Sequence, residues 1–322
     1  MEKKVYSVLN EMAEHLNSAQ MKKLQQVMIK YFAENAVTFE TTTNEEYLQM
    51  FIEAKKVEGC SERTLTYYET TVAHLLRCID TNIRKITTEE IRRYLSDYQK
   101  LNNCSKVTVD NIRRNISSFF SWLEEEDYIL KSPMRRIHKI KSKTPVKEII
   151  SDESIEKLRD GCDQLRDLAI IDLLYSTGIR VGELVNLDRK DINFEERECV
   201  VFGKGEKERR VYFDAKAKLH IQNYLDSRID DNPALFVTLD YPYSRLKISG
   251  VEIRLRNLGR ALNIERIHPH KFRRTMATRA IDKGMPIEQV QKILGHSQID
   301  TTMKYAIVNQ NNVKNSHRKF IT

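Results

Sequence analysis

Proline is absent from residues 1–130 and glycine occurs there once, at Gly59, although the 322-residue chain holds six prolines and ten glycines. Without these turn-formers the first part reads as helices joined by polar connections. The other nine glycines fall beyond position 160, where a mixed, turn-rich architecture is expected. No apolar run approaches the ~18 residues that span a bilayer, and no charged start leads into a short apolar core. Secretion and membrane insertion are therefore not expected, and the expected location is the cytoplasm. Cys60, Cys78, Cys104, Cys162 and Cys199 form no C-x-x-C pair and are odd in number, which argues for reduced structural thiols over a disulfide frame or zinc site. Acidic residues are missing from Lys131 to Lys147, a stretch with seven basic residues and the prolines Pro133 and Pro145.

Charged residues nevertheless make up 31% of the chain, with a formal net charge of +8. That sign suits a polyanionic partner such as nucleic acid, although many soluble proteins carry as much. The length exceeds the roughly 100–200 residues of one domain, so two globular units are expected. Residues 1–42 form an N-terminal extension with a helical stretch around Met21 to Phe32, ended by threonines at Thr41 to Thr43. In residues 43–130, Ser61 can cap a helix bearing Leu65, Tyr68, Val72, Leu75, Leu76 and Ile79. Thr87 with Glu90 makes a capping box before Ile91 and Leu95, and Ser105 can cap a helix bearing Val109, Ile112, Ile116, Phe119, Phe120 and Leu123. These apolar positions belong to a helical core, so any DNA contact falls to the polar residues between them, Lys106, Thr108, Arg113 and Arg114. The basic stretch 131–147 reads as a connector whose Arg135, Arg136 and Lys139 can neutralise backbone phosphates; the plain alternative is a solvated linker. From residue 148 onward a helix capped by Ser151 and a buried helix over 165–176 are expected. A β-hairpin pairing 199–202 with 209–213 follows, then helices over 249–262, 273–283, 286–294 and around 301–306.

Short and unusual contexts in this second part carry candidate chemistry. Arg180 lies in Thr177-Gly178-Ile179-Arg180-Val181-Gly182-Glu183-Leu184, Lys204 in Gly203-Lys204-Gly205-Glu206-Lys207, and Arg273 in Pro269-His270-Lys271-Phe272-Arg273. Leu294-Gly295-His296 is followed nine positions later by Tyr305, and Asp300-Thr301-Thr302 between them can cap the short helix expected to carry it. Cleaving a phosphodiester without a metal demands a nucleophile, fixed positive charge on the non-bridging oxygens and a proton donor for the leaving alkoxide. Arg180 and Arg273 offer planar forks that match two phosphate oxygens, and Glu183 can hold the Arg180 guanidinium from the same helix. Lys204, between two glycines at a hairpin tip, can protonate the leaving oxygen; Lys207 is the rival for that role. His270 and His296 can donate hydrogen bonds and assist proton movement. The phenol of Tyr305 can attack phosphorus and conserve the bond energy as an ester, so rejoining needs no ATP. Each residue has an ordinary alternative: a surface salt bridge for Arg180, an exposed turn for Lys204, satisfied histidines, a core tyrosine. A histidine metal cluster and a nucleotide-binding P-loop are disfavoured, since H-E-x-x-H and G-x-x-x-x-G-K-[ST] are both absent.

The conjunction of these motifs resembles the tyrosine recombinases, the phage integrase family, in particular its Xer-type and mobile-element members. The resemblance begins near Thr43. It implies a mainly α fold: a helical core-binding (SAM-like) domain over 43–130, then a mixed α/β catalytic domain over 148–322 with a small antiparallel sheet. By resemblance, Tyr305 is the nucleophile forming a 3′-phosphotyrosine link, Arg180 and Arg273 the phosphate clamp, Lys204 the general acid, and His270 with His296 the assisting pair. Phe272 and Arg274 depart from the leucine and histidine often found beside the second arginine; Arg274 and Lys207 are further candidates for DNA contact. The implied partner is double-stranded DNA with paired sites, exchanged through a Holliday junction by a homotetramer, with a monomer as the free form and no cofactor or metal. The residues after Tyr305, among them Val308, Val313, Phe320 and Ile321, resemble the element that docks on a neighbouring protomer. A type IB topoisomerase-like nicking-closing enzyme and a non-catalytic sequence-specific DNA-binding protein remain the alternatives. Synapsis of two defined sites separates the first, and a covalent adduct the second.

Overall fold

Thr43, Ser61, Thr87 and Ser105 each stand just before a helix of the computed structural model, and each side-chain oxygen accepts a backbone N–H of the first turn. Thr43 with Glu46 and Thr87 with Glu90 complete reciprocal capping boxes. Such caps contribute about 1 kcal/mol each. The structure describes residues 8–9, 11–13, 15–39, 42–142, 148–203 and 208–305. Lys143, Pro145, Lys147, Lys204, Lys207 and everything after Tyr305 lie outside the described residues. The chain divides into two units, Met1–Pro145 and Val146–Thr322.

In the first unit, α1 (Ser18–Phe39) contains the helical stretch expected around Met21. It is followed by α2 (Asn44–Val57), α3 (Glu62–Cys78), α4 (Thr88–Leu101) and α5 (Lys106–Glu125). The helix α2 was not anticipated; its signal is the Thr43 capping box, where the threonines suggested only a break. Phe51 on α2 meets Tyr68 on α3 and Phe119 on α5 edge to face, with ring centroids 5.3 and 5.2 Å apart, so one aromatic cluster ties three helices together. The expected apolar residues of α3, α4 and α5 line this core, Tyr68 and Ile79 at its edge, except Leu65, which is buried outside the cluster. Part of the basic connector is folded onto the same unit. Pro133–Arg136 forms a 3-10 turn, Met134 is buried in the core, and the Ile140 N–H donates to Asp110 Oδ1 at 2.9 Å.

The second unit begins with α6 (Asp152–Asp160), capped by Ser151 as expected, and α7 (Leu165–Thr177). Ala169, Ile170, Ile171, Leu173 and Leu174 are all buried, because α7 is the central helix, packed against α9 (Ala215–Asp226) and α11 (Pro269–Asp282). Between them lie α8 (Val181–Asn186) and an antiparallel sheet of β1 (Ile192–Asn193), β2 (Glu198–Phe202) and β3 (Glu208–Tyr212), in that order. The hairpin register pairs Val200 with Arg210 and Val201 with Arg209. Then come α10 (Ile248–Ala261), α12 (Ile287–Leu294) and α13 (Ile299–Met303). The fold is mainly α with one small antiparallel sheet, as expected.

Three details differ from the sequence reading. The helix α9 and the short strand β1 were not foreseen. The helix α11 starts at Pro269, a residue whose fixed φ and missing N–H suit a first helical position, so His270 sits in its first turn. Asp300-Thr301-Thr302 does not cap α13; Gln298 is the cap residue and makes no side-chain cap bond, and Tyr305 lies in the turn just beyond the helix. Among the described residues no helix is long and apolar enough to cross a membrane.

Candidate active site

Two helices of the second unit end on glycines in the left-handed conformation, Gly178 after α7 (φ 64°) and Gly295 after α12 (φ 63°). A side chain would be strained at both: at Gly178 a Cβ would press on the end of the Met276 side chain, and at Gly295 it would lie 2.9 Å from Arg209 Cδ. These C-termini gather the candidate arginines, because carbonyls left without helical partners attract cations. Arg273 on α11 donates from Nη1 to Gly178 O at 2.7 Å and from Nη2 to Leu294 O at 2.6 Å. Arg180 donates from Nη2 to Gly295 O at 3.2 Å. Arg273 is only 3% exposed, whereas 35% of the Arg180 side chain reaches solvent, so an incoming anion meets Arg180 first.

Arg180 is the cap residue of α8, not a member of that helix, and Glu183 answers it from the third helical position. The Glu183 carboxylate accepts the Arg180 N–H at 2.8 Å and its Nη1 at 2.7 Å. It also accepts both Nη groups of Arg209, at 2.7 and 2.6 Å. Burial alone would raise the Glu183 carboxyl, but the Arg209 fork and the Arg180 bonds outweigh it and hold the group below its ordinary range. Two guanidiniums bond this one ionised carboxylate and the Arg273 charge lies within its field, so the surplus is positive. Each arginine offers more N–H donors than these bonds consume, which leaves donors for an anion.

His296 follows Gly295 and sits between two partners. Its Nε2 lies 3.0 Å from Arg273 Nη2 and its Nδ1 2.8 Å from Thr302 Oγ1. A guanidinium can only donate, so Nε2 is the acceptor and Nδ1 carries the hydrogen toward Thr302. Burial first, then the charges of Arg273, Arg180 and Arg209, push the imidazole down to about 4. Burial and the Arg180 charge lower Arg273 as well, to about 10, which leaves it protonated at neutral pH. The Tyr305 ring stacks on His296 at 6.0 Å and packs against Ala277, Val290 and Leu294. Its backbone N–H bonds to Thr302 O at 2.9 Å, so Arg273 fixes the histidine tautomer while Thr302 takes up the Nδ1 hydrogen and anchors the turn that carries the phenol. His270 lies one helical turn before Arg273 on α11 and is exposed; desolvation, then the charges of Arg273 and Arg180, lower its imidazole.

The structure thus brings together Arg180, Glu183, Arg273, His296 and Tyr305, with His270 alongside. Lys204 and Lys207 fall outside the described residues. Arg274 turns to Glu148 O at 2.9 Å. In the first unit Lys106 is exposed and Thr108 completes the Ser105 cap. Arg113, its side chain 12% exposed, is held by Asp110 at 2.8 Å, whereas Arg114 is largely exposed. Arg135 pairs with Glu124 at 2.6 Å, and the Arg136 and Lys139 side chains are exposed. Sequence reading missed Arg209 and Thr302. Strand alternation was the available signal for Arg209, since it shares the inward face of β3 with buried Val211. All five cysteines are free, and burial pushes Cys162 and Cys199 up to about 12, far from thiolate reactivity.

Residues 148–312 match the family model described as the phage integrase family, and residues 47–130 match that of the phage integrase N-terminal SAM-like domain. The chain belongs to the phage integrase family of tyrosine recombinases. It is similar to tyrosine recombinase XerC of Staphylococcus aureus (strain bovine RF122 / ET3-1), 32% identical over 83% of this chain and 93% of that protein. XerC of Oceanobacillus iheyensis is 30% identical over 85% and 95%. Among solved structures, a lambda integrase dimer bound to a COC′ core site shares the fold with a TM-score of 0.69 at 18% identity, covering 88% of this chain and 85% of that one. The Tn1549 transposon integrase in complex with circular intermediate DNA gives 0.68 at 19% identity, covering 84% and 98%.

This tyrosine recombinase should lose stability in mild acid through His296. The folded histidine titrates near 4 instead of the ordinary 6.5, so between these values the unfolded chain binds a proton that the folded one refuses. Stability therefore rises with pH across that window and falls as acid is added. Melting temperatures should drop less steeply from pH 7 down to pH 4 for His296→Gln than for the parent protein. Identical slopes would contradict a neutral, Arg273-bound imidazole.

Proposed function

We propose that this tyrosine recombinase is a site-specific DNA strand-exchange enzyme working through a 3′-phosphotyrosine intermediate. The observation that carries the reading is the convergence of Tyr305, His296, Arg273 and Arg180 on the C-terminal ends of α7 and α12. Tyr305 Oη forms a bond to the scissile phosphorus while the bond to the 5′ oxygen breaks. Arg180 and Arg273 take the charge that builds on the non-bridging oxygens, worth several kcal/mol by analogy with other oxyanion donors. Lys204 gives its proton to the departing 5′ oxygen, and His270 and His296 assist at the phosphate. A free 5′-hydroxyl from a partner strand reverses the step, so bond number is conserved and exchange passes through a Holliday junction. Residues 43–130 act as the core-binding domain, 131–147 as the basic strap and 148–322 as the catalytic domain, four protomers spanning two sites. The DNA complexes formed by lambda integrase and the Tn1549 integrase support DNA as the partner.

Genomic fragments incubated with the protein in chelator and without ATP should yield a protein-linked DNA fraction that survives detergent. Sequencing it should show one recurrent cut site; no linked DNA, or linkage scattered without preference, would contradict the reading. The basic strap makes a separate prediction. Replacing Arg135, Arg136 and Lys139 with alanine should lower the slope of log affinity against log salt, by roughly 0.9 for each phosphate that the variant no longer neutralises. Because Arg135 is already paired with Glu124, Arg136 and Lys139 should account for most of the change. An unchanged slope would remove the strap from the DNA interface.

A further inference from the structure

Arg209 has no place in the motifs that define the candidate site, yet it is the residue that ties the site's parts to one another. Its two Nη groups grip both oxygens of Glu183 at 2.7 and 2.6 Å, a two-pronged geometry that only a guanidinium provides. Its Nε donates to Ile293 O at 2.8 Å, in the last turn of α12. The carboxylate it holds is the one that fixes Arg180, and the turn it holds is the one that supplies Leu294 O to Arg273 and Gly295 O to Arg180. The Arg209 side chain is 10% exposed, so these bonds lie largely out of water. Gly295 lets the aliphatic stem of Arg209 pass close, since a Cβ there would stand 2.9 Å from its Cδ. Lysine in its place would keep the charge but reach neither both carboxylate oxygens nor the Ile293 carbonyl at once.

We propose that Arg209 is a positioning residue for the phosphate clamp, setting the Arg180 guanidinium through Glu183 and the α12 terminus through Ile293. The proposal rests on the recombinase reading, in which Arg180 meets the scissile phosphate. A misplacement of about 1 Å in such a group costs about 10²-fold in rate. Because Arg209 acts through groups that neutralise charge on the phosphate, its loss should matter less when that charge is removed from the substrate.

The test uses the full-length protein and a nicked duplex carrying the cut site mapped from wild-type DNA adducts, made with either a normal scissile phosphate or a neutral methylphosphonate. Arg209→Lys should bind the duplex as the wild type does, and cleave the phosphate about 10²-fold more slowly. On the methylphosphonate the deficit should shrink to a few-fold. Equal cleavage by Arg209→Lys and wild type, or an equal deficit on both substrates, would overturn the proposal while leaving the recombinase reading intact. A wild type that forms no tyrosine-linked adduct would overturn that reading and the proposal with it. Should Arg209→Lys lose its cooperative melting transition, Arg209→Gln makes the same comparison, since an amide can bond Glu183 without the two-pronged fork while leaving the Arg180–Glu183 pair in place. It should show the same smaller deficit on the neutral substrate, and a deficit equal on both would overturn the proposal.

Discussion

Tyr305→Phe should bind its DNA site with the affinity of the parent protein and form no covalent adduct at all. The substitution removes a single oxygen from a half-buried ring. The ring's packing on Ala277, Val290 and Leu294 and its stacking on His296 involve carbon faces that phenylalanine retains. The backbone N–H bond to Thr302 O is likewise indifferent to the side chain. Stability should therefore change little, whereas nucleophilic catalysis has no substitute once the attacking atom is gone. A gel-shift titration beside a denaturing gel on a nicked duplex separates the two effects. Residual adduct formation by Tyr305→Phe would mean that another residue attacks.

The second large effect distinguishes the two arginines. Alanine at either Arg180 or Arg273 should slow cleavage by about 10²–10³-fold, because each removes fixed charge aimed at the developing oxyanion. Their structural costs should differ. Arg273 is buried and satisfies the Gly178 and Leu294 carbonyls, so Arg273→Ala leaves acceptors without partners at about 1–3 kcal/mol each. Arg180 is partly exposed, and its partner Glu183 keeps the Arg209 fork, so Arg180→Ala should melt close to the parent protein. Single-turnover cleavage and thermal melting of the two variants give the comparison. Equal melting losses would contradict the burial difference, and parent-like cleavage by either variant would remove it from the clamp.

Much of this site was legible in the sequence because its residues sit in local motifs whose spacing survives folding. Glu183 follows Arg180 by three positions, which a helix start converts directly into contact. Ser61, Thr87 and Ser105 announced their helices through cap chemistry that is equally local. For Arg209, strand alternation signals only the inward face of β3; its meeting with Glu183 and Ile293 depends on how β3 lies against α8 and α12, and no short-range pattern encodes that. Thr302 was misassigned for a related reason. A threonine near a helix start resembles a cap, but here its hydroxyl is drawn to His296, and α13 begins at Ile299 without a side-chain cap. The helix α9 carried a local signal that went unread: Asp214 caps it, and Ala217, Ile221 and Tyr224 recur at helical spacing.

Esterification of the Tyr305 oxygen to DNA leaves a mass on the protein that can be weighed, by nuclease-trimming the protein-linked DNA and digesting the protein to peptides. The expected result is a nucleotide remnant on the peptide containing Tyr305, attached through the 3′ phosphate. A remnant on a different residue, attachment through a 5′ phosphate, or cut DNA with no linked peptide would contradict it.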